Sequence, residues 1–413
     1  MASAERAGGL EFSEKVVVVL GGVIASMALT VLNPVLPTIE KALAHSATDK
    51  MLVKQLFGVV TLAMVAGAPL GGFLVARLGM RRMLLIASLV YAVAGTAGLY
   101  LSSLPLLLVS RFFVGASAAC IQVMSLTLVN TRLDPAGRAK WMGLHVAVAT
   151  LCSLAIFPIS GLLGQISWRL PFLEYLFGLV VFAALLFGKD MILPIAPKDK
   201  LGAQCSGPSL ISWMPWHYVV LSLFVGAITF LPTIYSSYLF TERAGLTAKS
   251  IGLVMTFTAM VGGVSALCYG QVRKLLSIHG AFLASFGLAS VGLLIVGSAH
   301  ALPLMLAGFV LFGLGNAWFV PNVMTSLGGK LQPYQQARAA GLVKAGHFGS
   351  TPICVLLVAP FAQRLGAQSV MYMASAAAGL VFVTVLLRMT LLRARGQTTL
   401  ADPGHPAAVA PAE

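Results

Sequence analysis

Charged residues are scarce in this chain of 413 residues: only 9% are Asp, Glu, Lys or Arg, while 58% are hydrophobic. Soluble domains carry roughly 25% charged residues. A soluble fold with so few charges could not cover its own surface, and the mean hydropathy of +0.93 agrees with this. The composition therefore excludes a water-soluble globular protein and predicts an integral membrane protein.

Clustered cysteines and phosphate-binding loops are also missing. The five cysteines are scattered, with no CxxC and no Cys/His cluster, so neither a disulfide framework nor a zinc site is predicted. The glycine pairs lack the GKS/T context of a nucleotide-binding loop, so an ATP-driven activity of this chain alone is not expected. We expect no metal, no cofactor, no nucleic-acid partner and no enzymatic activity.

Twelve apolar runs are long enough to cross a bilayer, which takes about 20 residues. Numbered below as spans 1 to 12, they cover residues 16–39, 55–76, 83–101, 105–130, 141–163, 170–188, 216–240, 250–270, 280–299, 303–327, 339–361 and 368–390. The fold class predicted is an all-α membrane protein with two pseudo-symmetric six-helix bundles. The bundles comprise residues 1–188 and 216–393, with a polar cytoplasmic loop at 189–215 and a disordered cytoplasmic tail at 394–413.

The basic excess, a formal net charge of +15, indicates the orientation of the chain. With the N-terminus inside, eighteen Lys and Arg lie on the cytoplasmic side and seven on the outer side. Arg388, two residues from the end of span 12, is counted with the cytoplasmic side, so Arg111 and Lys344 are the two that remain within spans. Because cytoplasmic loops are enriched in Lys and Arg, both termini are predicted to be cytoplasmic, and the expected location is the inner (plasma) membrane.

The two halves share a local pattern. Span 4 begins Leu-Pro-Leu at Leu104 and reaches Gly115, and span 10 begins Leu-Pro-Leu at Leu302 and reaches Gly313, a constant offset of 198. An Arg-Ala pair follows each span. The pattern indicates a parallel internal repeat of the kind that builds six-plus-six membrane transporters.

Three motifs carry a resemblance to the major facilitator superfamily, and in particular to its twelve-helix drug–proton antiporter branch. The loop after span 2, GFLVARLGMRR, is similar to the superfamily's loop signature but has Ala76 where an acid is usual. Span 4 carries an Arg-x-x-x-Gly pattern. The end of span 5 resembles the antiporter motif in part, with Phe157 and Leu162 replacing glycines, and is followed by a WRxxF pattern. The gating and structural residues implied by these motifs are Gly72, Arg77, Gly79, Arg81, Arg82, Gly115, Pro158, Gly161, Trp168 and Arg169.

Polar residues within the spans are the candidate binding groups, because ionisable and polar side chains are costly at that depth. No acid lies at mid-span, and Asn33 stands where such transporters often have one. The predicted substrate-binding residues are Thr30, Asn33, Arg111, Gln122, Tyr235, Asn316, Trp318, Asn322, Lys344 and His347. The predicted coupling residues are Arg111, His145, Glu174 and His347.

Structural alternatives exist for these residues. Arg111 can instead bond the carbonyls of a neighbouring broken helix, and Lys344 can extend its long stem to the cytoplasm. His145 can simply be hydrogen-bonded near the headgroups. Polar residues that share one face of a span, such as Thr30 and Asn33 in span 1, form polar stripes. These stripes can serve helix–helix hydrogen bonding.

The resemblance implies a secondary transporter that works by alternating access, as a monomer in the lipid bilayer, on a small organic and amphiphilic molecule. The main hypothesis is export coupled to protons. The alternative is an organic-anion symporter or uniporter in which Arg111 and Lys344 are counter-charges. A third hypothesis, a membrane receptor or scaffold without transport, leaves the polar stripes without a use.

Overall fold

The computed structural model describes residues 10–188, 214, 216–328 and 333–394. Within these stretches all regular secondary structure is helical. The predicted loop at 189–215 and tail at 394–413 lie outside the described residues, apart from Met214 and Ala394.

Each of the first six predicted spans corresponds to helical structure. Span 1 contains Phe12–Thr30, Asn33–Val35 and Leu36–Leu43; span 2 is Ala47–Leu78; span 3 is Met80–Gly95 with the 3-10 turn Thr96–Leu99; span 4 is Leu104–Arg132; span 5 is Pro135–Ile166; and span 6 is the 3-10 helix Leu170–Phe177 with Gly178–Leu186.

The last six predicted spans also correspond to helical structure. Span 7 is Trp216–Ala244; span 8 is Ala248–Leu267 with Tyr269–Leu275; span 9 is Ile278–Ser298; span 10 is Leu302–Asn316 with Phe319–Gly328; span 11 is Pro333–Leu365; and span 12 is Ala367–Ala394.

The apolar character of these helices confirms the predicted all-α membrane fold. In the described part of the chain, eleven helical segments are long and apolar enough to cross a membrane, and Leu170–Leu186 is a shorter apolar segment. Large apolar side chains point outward at mid-span; Leu151 and Leu357 are each 65% exposed. Such exposure is a liability in water and is ordinary where the surrounding solvent is lipid.

Prolines explain two breaks that the twelve apolar runs did not show. A proline has no N–H, and its ring clashes with the carbonyl four residues before it. Pro34 therefore opposes a helix through Thr30, where the first helix of span 1 ends. In the same way, Pro321 opposes a helix through Ala317, and the first helix of span 10 ends at Asn316.

Internal contacts divide the chain into two compact units, which are described separately. The first unit contains residues 1–207, 246–256 and 351–356, and the second contains residues 208–245, 257–350 and 357–413. The first six spans thus belong to the first unit, together with the start of span 8 and a short part of span 11.

Small residues bring helices into close contact within each unit. In the first unit a Cβ at Gly67 of span 2 would lie 2.6 Å from the Ala116 carbonyl oxygen of span 4. In the second unit Gly292 of span 9 and Gly308 of span 10 face one another, and a Cβ at Gly308 would lie 2.7 Å from the Gly292 carbonyl oxygen. Close backbone approach of this kind replaces the hydrophobic driving force that helices lack in lipid.

Guanidinium groups satisfy carbonyls at several helix ends. Arg81 donates to the carbonyl oxygens of Leu185 and Gly188 at the end of span 6, at 3.1–3.2 Å. In the second unit, Nη1 of Arg243 donates to the carbonyl oxygens at residues 297 and 299 at the end of span 9, at 2.9 and 2.6 Å. The last carbonyls of a helix have no partner within it, so these cations stabilise the ends.

Gly79 makes the turn between spans 2 and 3. Its φ of 77° and ψ of 159° fall in a backbone region that is essentially restricted to glycine. The loop motif thus requires glycine at this position for a conformational reason.

Replacing Gly79 by alanine should destabilise the protein by about 1–3 kcal/mol, because a Cβ makes this conformation strained. The measurement is the melting temperature of the purified protein in detergent. The control is Gly143→Ala, a helical position in span 5 where an added Cβ meets open space. Alanine forms helix better than glycine by about 1 kcal/mol, so the control should not lose stability. Equal melting temperatures for the two variants would contradict the assignment.

Candidate functional site

Arg111 lies inside the first unit, fully buried. Its Nη2 donates to the carbonyl oxygens of Ala94 and Gly95 at 3.0 and 2.8 Å. These carbonyls lie where the α-helix of span 3 gives way to its 3-10 turn. The guanidinium also lies over the rings of Tyr175 and Phe172 of span 6, at 4.7 and 5.0 Å from their centres. This placement favours the structural alternative stated above, a cation that bonds the carbonyls of a broken helix.

Arg169 completes the same helix end. Its Nη1 donates to the carbonyl oxygens of Gly98, Leu99 and Leu101 at 3.0–3.2 Å. The guanidinium lies 4.4 Å from the ring centre of Trp168. The WRxxF pattern therefore supplies a cap for the carbonyl end of span 3, and two arginines from different parts of the sequence meet there.

Two polar pairs connect span 5 to its neighbours. Glu174 of span 6 accepts a hydrogen bond from Ser160 of span 5 at 2.6 Å. Near the other end of span 5, Nδ1 of His145 lies 2.7 Å from the Val18 carbonyl oxygen of span 1. A Cβ at Gly22 would lie 2.9 Å from Nε2 of His145, so this glycine leaves room for the imidazole. His145 is thus a buried link between spans 5 and 1.

The Pro158 motif forms a close contact with the start of span 8, within the first unit. Because Pro158 has no N–H, the Leu154 carbonyl lacks its α-helical donor. The hydroxyl of Thr256 lies 3.2 Å from this oxygen and 2.9 Å from the Gly252 carbonyl oxygen of its own helix, so its one hydrogen is shared between the two. On the same side, a Cβ at Gly161 would lie 2.5 Å from the Ala248 carbonyl oxygen. The partial antiporter motif therefore still packs closely against span 8, although Phe157 and Leu162 replace two of its glycines.

Polar side chains along the predicted stripe of span 1 are hydrogen-bonded to other groups of the protein. The Thr30 hydroxyl donates to the Ser26 carbonyl oxygen at 3.0 Å, and the hydroxyls of Ser26 and Ser153 are hydrogen-bonded to each other. Asn33 begins the 3-10 break and is 1% exposed. In span 4, Gln122 is half-buried.

In the second unit, spans 7 and 10 are joined by a polar pair. The Thr229 hydroxyl donates to Oδ1 of Asn316 at 2.7 Å, and both side chains are half-buried. Asn316 is the last residue of the first helix of span 10, so this bond lies beside the break. Tyr235, about five helical turns from the start of span 7, is buried.

Trp318 and Asn322 serve the packing of span 10. Nε1 of Trp318 donates to the Ser265 carbonyl oxygen at 3.1 Å. Nδ2 of Asn322 donates to the Ile278 carbonyl oxygen at 3.1 Å, and its Oδ1 accepts from Tyr269 at 2.9 Å. Both polar side chains are therefore engaged by neighbouring spans in this structure.

His347 lies among aromatic rings in the second unit. Its ring centre is 4.9 Å from that of Phe230 of span 7 and 5.4 Å from that of Phe348. The two phenylalanine rings stack at 5.6 Å. Its Nδ1 is buried without a hydrogen-bond partner among the described residues. Lys344, one turn away on span 11, is exposed.

Several side chains that contact the predicted residues were not predicted from the sequence. Tyr91 of span 3 lies 5.5 Å from Tyr175, ring centre to ring centre, and Ser160, Thr256 and Phe230 supply the contacts described above. Each is an ordinary residue for an apolar span, so no local pattern distinguishes it. Within the described ranges, no group of three His, Cys, Asp or Glu side chains could hold a metal ion.

Comparison with known proteins decides the family. A family model described as Major Facilitator Superfamily matches residues 18–282. The chain belongs to the Major Facilitator Superfamily. This confirms the predicted resemblance and makes the protein a multi-pass membrane transporter of small molecules, not an enzyme.

Individual relatives agree with this family. The chain is similar to the quinolone resistance protein NorA of Staphylococcus aureus (strain COL), with 23% identity over 325 residues that cover 76% of this chain and 82% of NorA. It is 30% identical to the multidrug resistance protein MdtL of Shewanella sp. (strain ANA-3) over 134 residues, 32% of this chain and 34% of MdtL. The crystal structure of a D-xylose-proton symporter shares the fold, with a TM-score of 0.70 at 14% identity, covering 89% of this chain and 97% of the symporter.

Removal of the Arg111 guanidinium tests its structural role. Arg111→Met keeps a long side chain but leaves the carbonyls at the end of span 3 without a donor, and we expect a loss of about 3 kcal/mol in stability. The measurement is the melting temperature in detergent. Arg82→Met, at an exposed position in the first turn of span 3, is the control and should melt like the parent. An Arg111→Met protein of unchanged melting temperature that fails to bind substrate would instead make Arg111 a binding residue.

Proposed function

We propose that this transporter exports a small amphiphilic organic molecule from the cytoplasm in exchange for protons. Two relatives, which match 76% and 32% of this chain, are named for quinolone resistance and multidrug resistance. The antiporter-type Arg-x-x-x-Gly and Pro158 motifs support the same branch. The proposed orientation places both termini in the cytoplasm of the inner (plasma) membrane, with the monomer as the working unit.

The aromatic cluster of the second unit carries the proposal on substrate class. We define it as Phe230, His347 and Phe348, whose rings lie 4.9–5.6 Å from one another. Flat ring faces give a hydrophobic contact that tolerates different ligands, and the imidazole adds one polar position. Such a cluster suits an aromatic amphiphile such as a quinolone better than a sugar, which needs many hydrogen-bonding groups.

Side chains that are already bonded to neighbouring spans are less available to a substrate, which reduces the set of candidate binding residues. Trp318, Asn322 and Arg111 are bonded to neighbouring spans, as described above. We therefore propose that the aromatic cluster supplies most of the substrate contacts of the second unit. The same reasoning removes Arg111 as a counter-charge and weakens the organic-anion alternative, which then depends on Lys344.

Transport in proteoliposomes tests the exchange directly. With a fluorescent quinolone, norfloxacin, as the probe and a pH-sensitive dye in the lumen, an imposed pH gradient should drive accumulation of norfloxacin on the acidic side. Addition of norfloxacin without a gradient should move protons in the opposite direction. A second probe, ethidium, extends the test to an amphiphilic cation. If neither probe moves and the luminal pH stays constant, the proposal is wrong.

The anion alternative makes a different prediction at Lys344. Under the export proposal, Lys344→Ala should leave norfloxacin transport within about twofold of the parent, because an exposed lysine loses little when truncated. The matched control is Lys249→Ala, an exposed lysine at the start of span 8. Saturable uptake of an organic anion such as benzoate, abolished by Lys344→Ala and retained by Lys249→Ala, would favour the alternative instead.

A further inference from the structure

Glu174 is the acid that lies furthest inside its span among the described residues. It is four residues from Leu170 in a 3-10 helix, which corresponds to about 8 Å at roughly 2.0 Å per residue. The other acids in the described ranges lie closer to the ends of their helices; Glu14, for example, is the third residue of Phe12–Thr30 and forms an ion pair with Arg132 at 3.1 Å. A carboxyl group at such depth costs free energy, and ionisable residues found there are usually functional.

The partner of Glu174 places it next to the Pro158 segment, which we define as residues 154–161. Ser160 donates its hydroxyl to Oε1 of Glu174 at 2.6 Å and is itself fully buried. In sequence, Ser160 lies two residues after Pro158 and directly before Gly161. The carboxyl group is therefore hydrogen-bonded to the part of span 5 where the helix lacks a backbone hydrogen bond.

The other side of the Pro158 segment faces the start of span 8 within the first unit. Thr256 shares its hydroxyl hydrogen between the Leu154 carbonyl and the Gly252 carbonyl of its own helix, and a Cβ at Gly252 would overlap the Phe157 carbonyl oxygen. The segment is thus held by single side-chain hydrogen bonds on two sides, where an uninterrupted helix would be held by its own backbone. A small change in one of these bonds can alter its bend.

The ionisable groups around Glu174 come from three spans. Tyr175 follows Glu174 in span 6, and its ring centre lies 5.5 Å from that of Tyr91 of span 3. Arg111 of span 4 lies over the Tyr175 ring, but its hydrogen bonds go to the carbonyls at the end of span 3. Arg169 likewise bonds carbonyls after that span. Within the described residues no cation forms an ion pair with Glu174, so its charge is not locked in place by a partner.

We propose that Glu174 takes up and releases the coupling proton, and that Ser160 transmits this change to the Pro158 segment. The inference rests on the proposed proton-coupled export. When Glu174 is ionised, its Oε1 accepts the hydrogen of Ser160. When one proton binds Glu174, the negative charge that holds this hydrogen is lost. The hydroxyl then competes for the Ile156 carbonyl of its own helix, a type of bond that bends helices.

Two assays on the full-length protein in proteoliposomes test the proposal, with norfloxacin as the probe. The first measures accumulation driven by a pH gradient, and the second measures exchange of labelled for unlabelled norfloxacin at equal pH, which needs no net proton movement. Glu174→Gln removes the titrating group and keeps the acceptor oxygen. We expect this variant to lose gradient-driven accumulation and to retain exchange.

Two further variants complete the test. Ser160→Ala is expected to reduce gradient-driven accumulation while retaining exchange, because the carboxyl still titrates but its link to span 5 is gone. Glu242→Gln, an exposed acid at the outer end of span 7, is the matched control and should behave like the parent in both assays.

The outcomes separate the two proposals. A parent protein that shows exchange but no gradient-driven accumulation contradicts proton-coupled export, and the inference is lost with it. A coupled parent with an equally coupled Glu174→Gln variant overturns the inference alone. Loss of both assays in Glu174→Gln, with Glu242→Gln intact, also overturns it, since Glu174 would then support the fold or the binding of substrate and not the coupling.

Discussion

The structure depends on one constraint: a backbone carbonyl at a helix end within lipid must find a donor, because no water is there to supply one. The chain interrupts several of its spans with prolines and 3-10 turns, and each interruption frees carbonyls. Arg111 and Arg169 bond those at the end of span 3, Arg243 those at the end of span 9, and Arg81 those at the end of span 6. A planar guanidinium suits this task because it carries five donors.

This use of arginine changes how the charges of the chain are interpreted. A buried cation without a nearby acid first indicates an anion-binding site, and that interpretation is sound for a group aimed at a cavity. Here the buried cation Arg111 instead has carbonyl oxygens and aromatic ring faces as its partners. The scarcity of acids then has a simpler consequence: among the described residues, Glu174 is the acid furthest from a helix end, and no cation forms an ion pair with it.

The functional proposals follow from which polar groups are already engaged. Helices in lipid associate through small residues and interhelical hydrogen bonds, and much of the polar content of spans 1, 5 and 10 is engaged in this way. What remains for a ligand in the second unit is a cluster of aromatic rings with one imidazole. In the first unit, the group available to bind a proton is the carboxyl group of Glu174, which is hydrogen-bonded to span 5 next to Pro158. Binding and coupling are thereby assigned to different spans.

The sequence by itself determined the fold class and all twelve spans. The length of an apolar run is a local property, and about 20 apolar residues are enough for a helix to cross the bilayer. Helix ends agree within a few residues in most spans, although span 2 begins eight residues earlier than its apolar run. The motif glycine Gly79 was also identifiable, since its backbone conformation is local. Only the tertiary structure decided what Arg111 bonds, that the Thr256 hydroxyl lies within hydrogen-bonding distance of the Leu154 carbonyl, and that Ser160 bonds Glu174. These contacts join residues 14 to 102 positions apart, and hydrogen bonding at such separations is set by how helices pack and not by the pattern along any one of them.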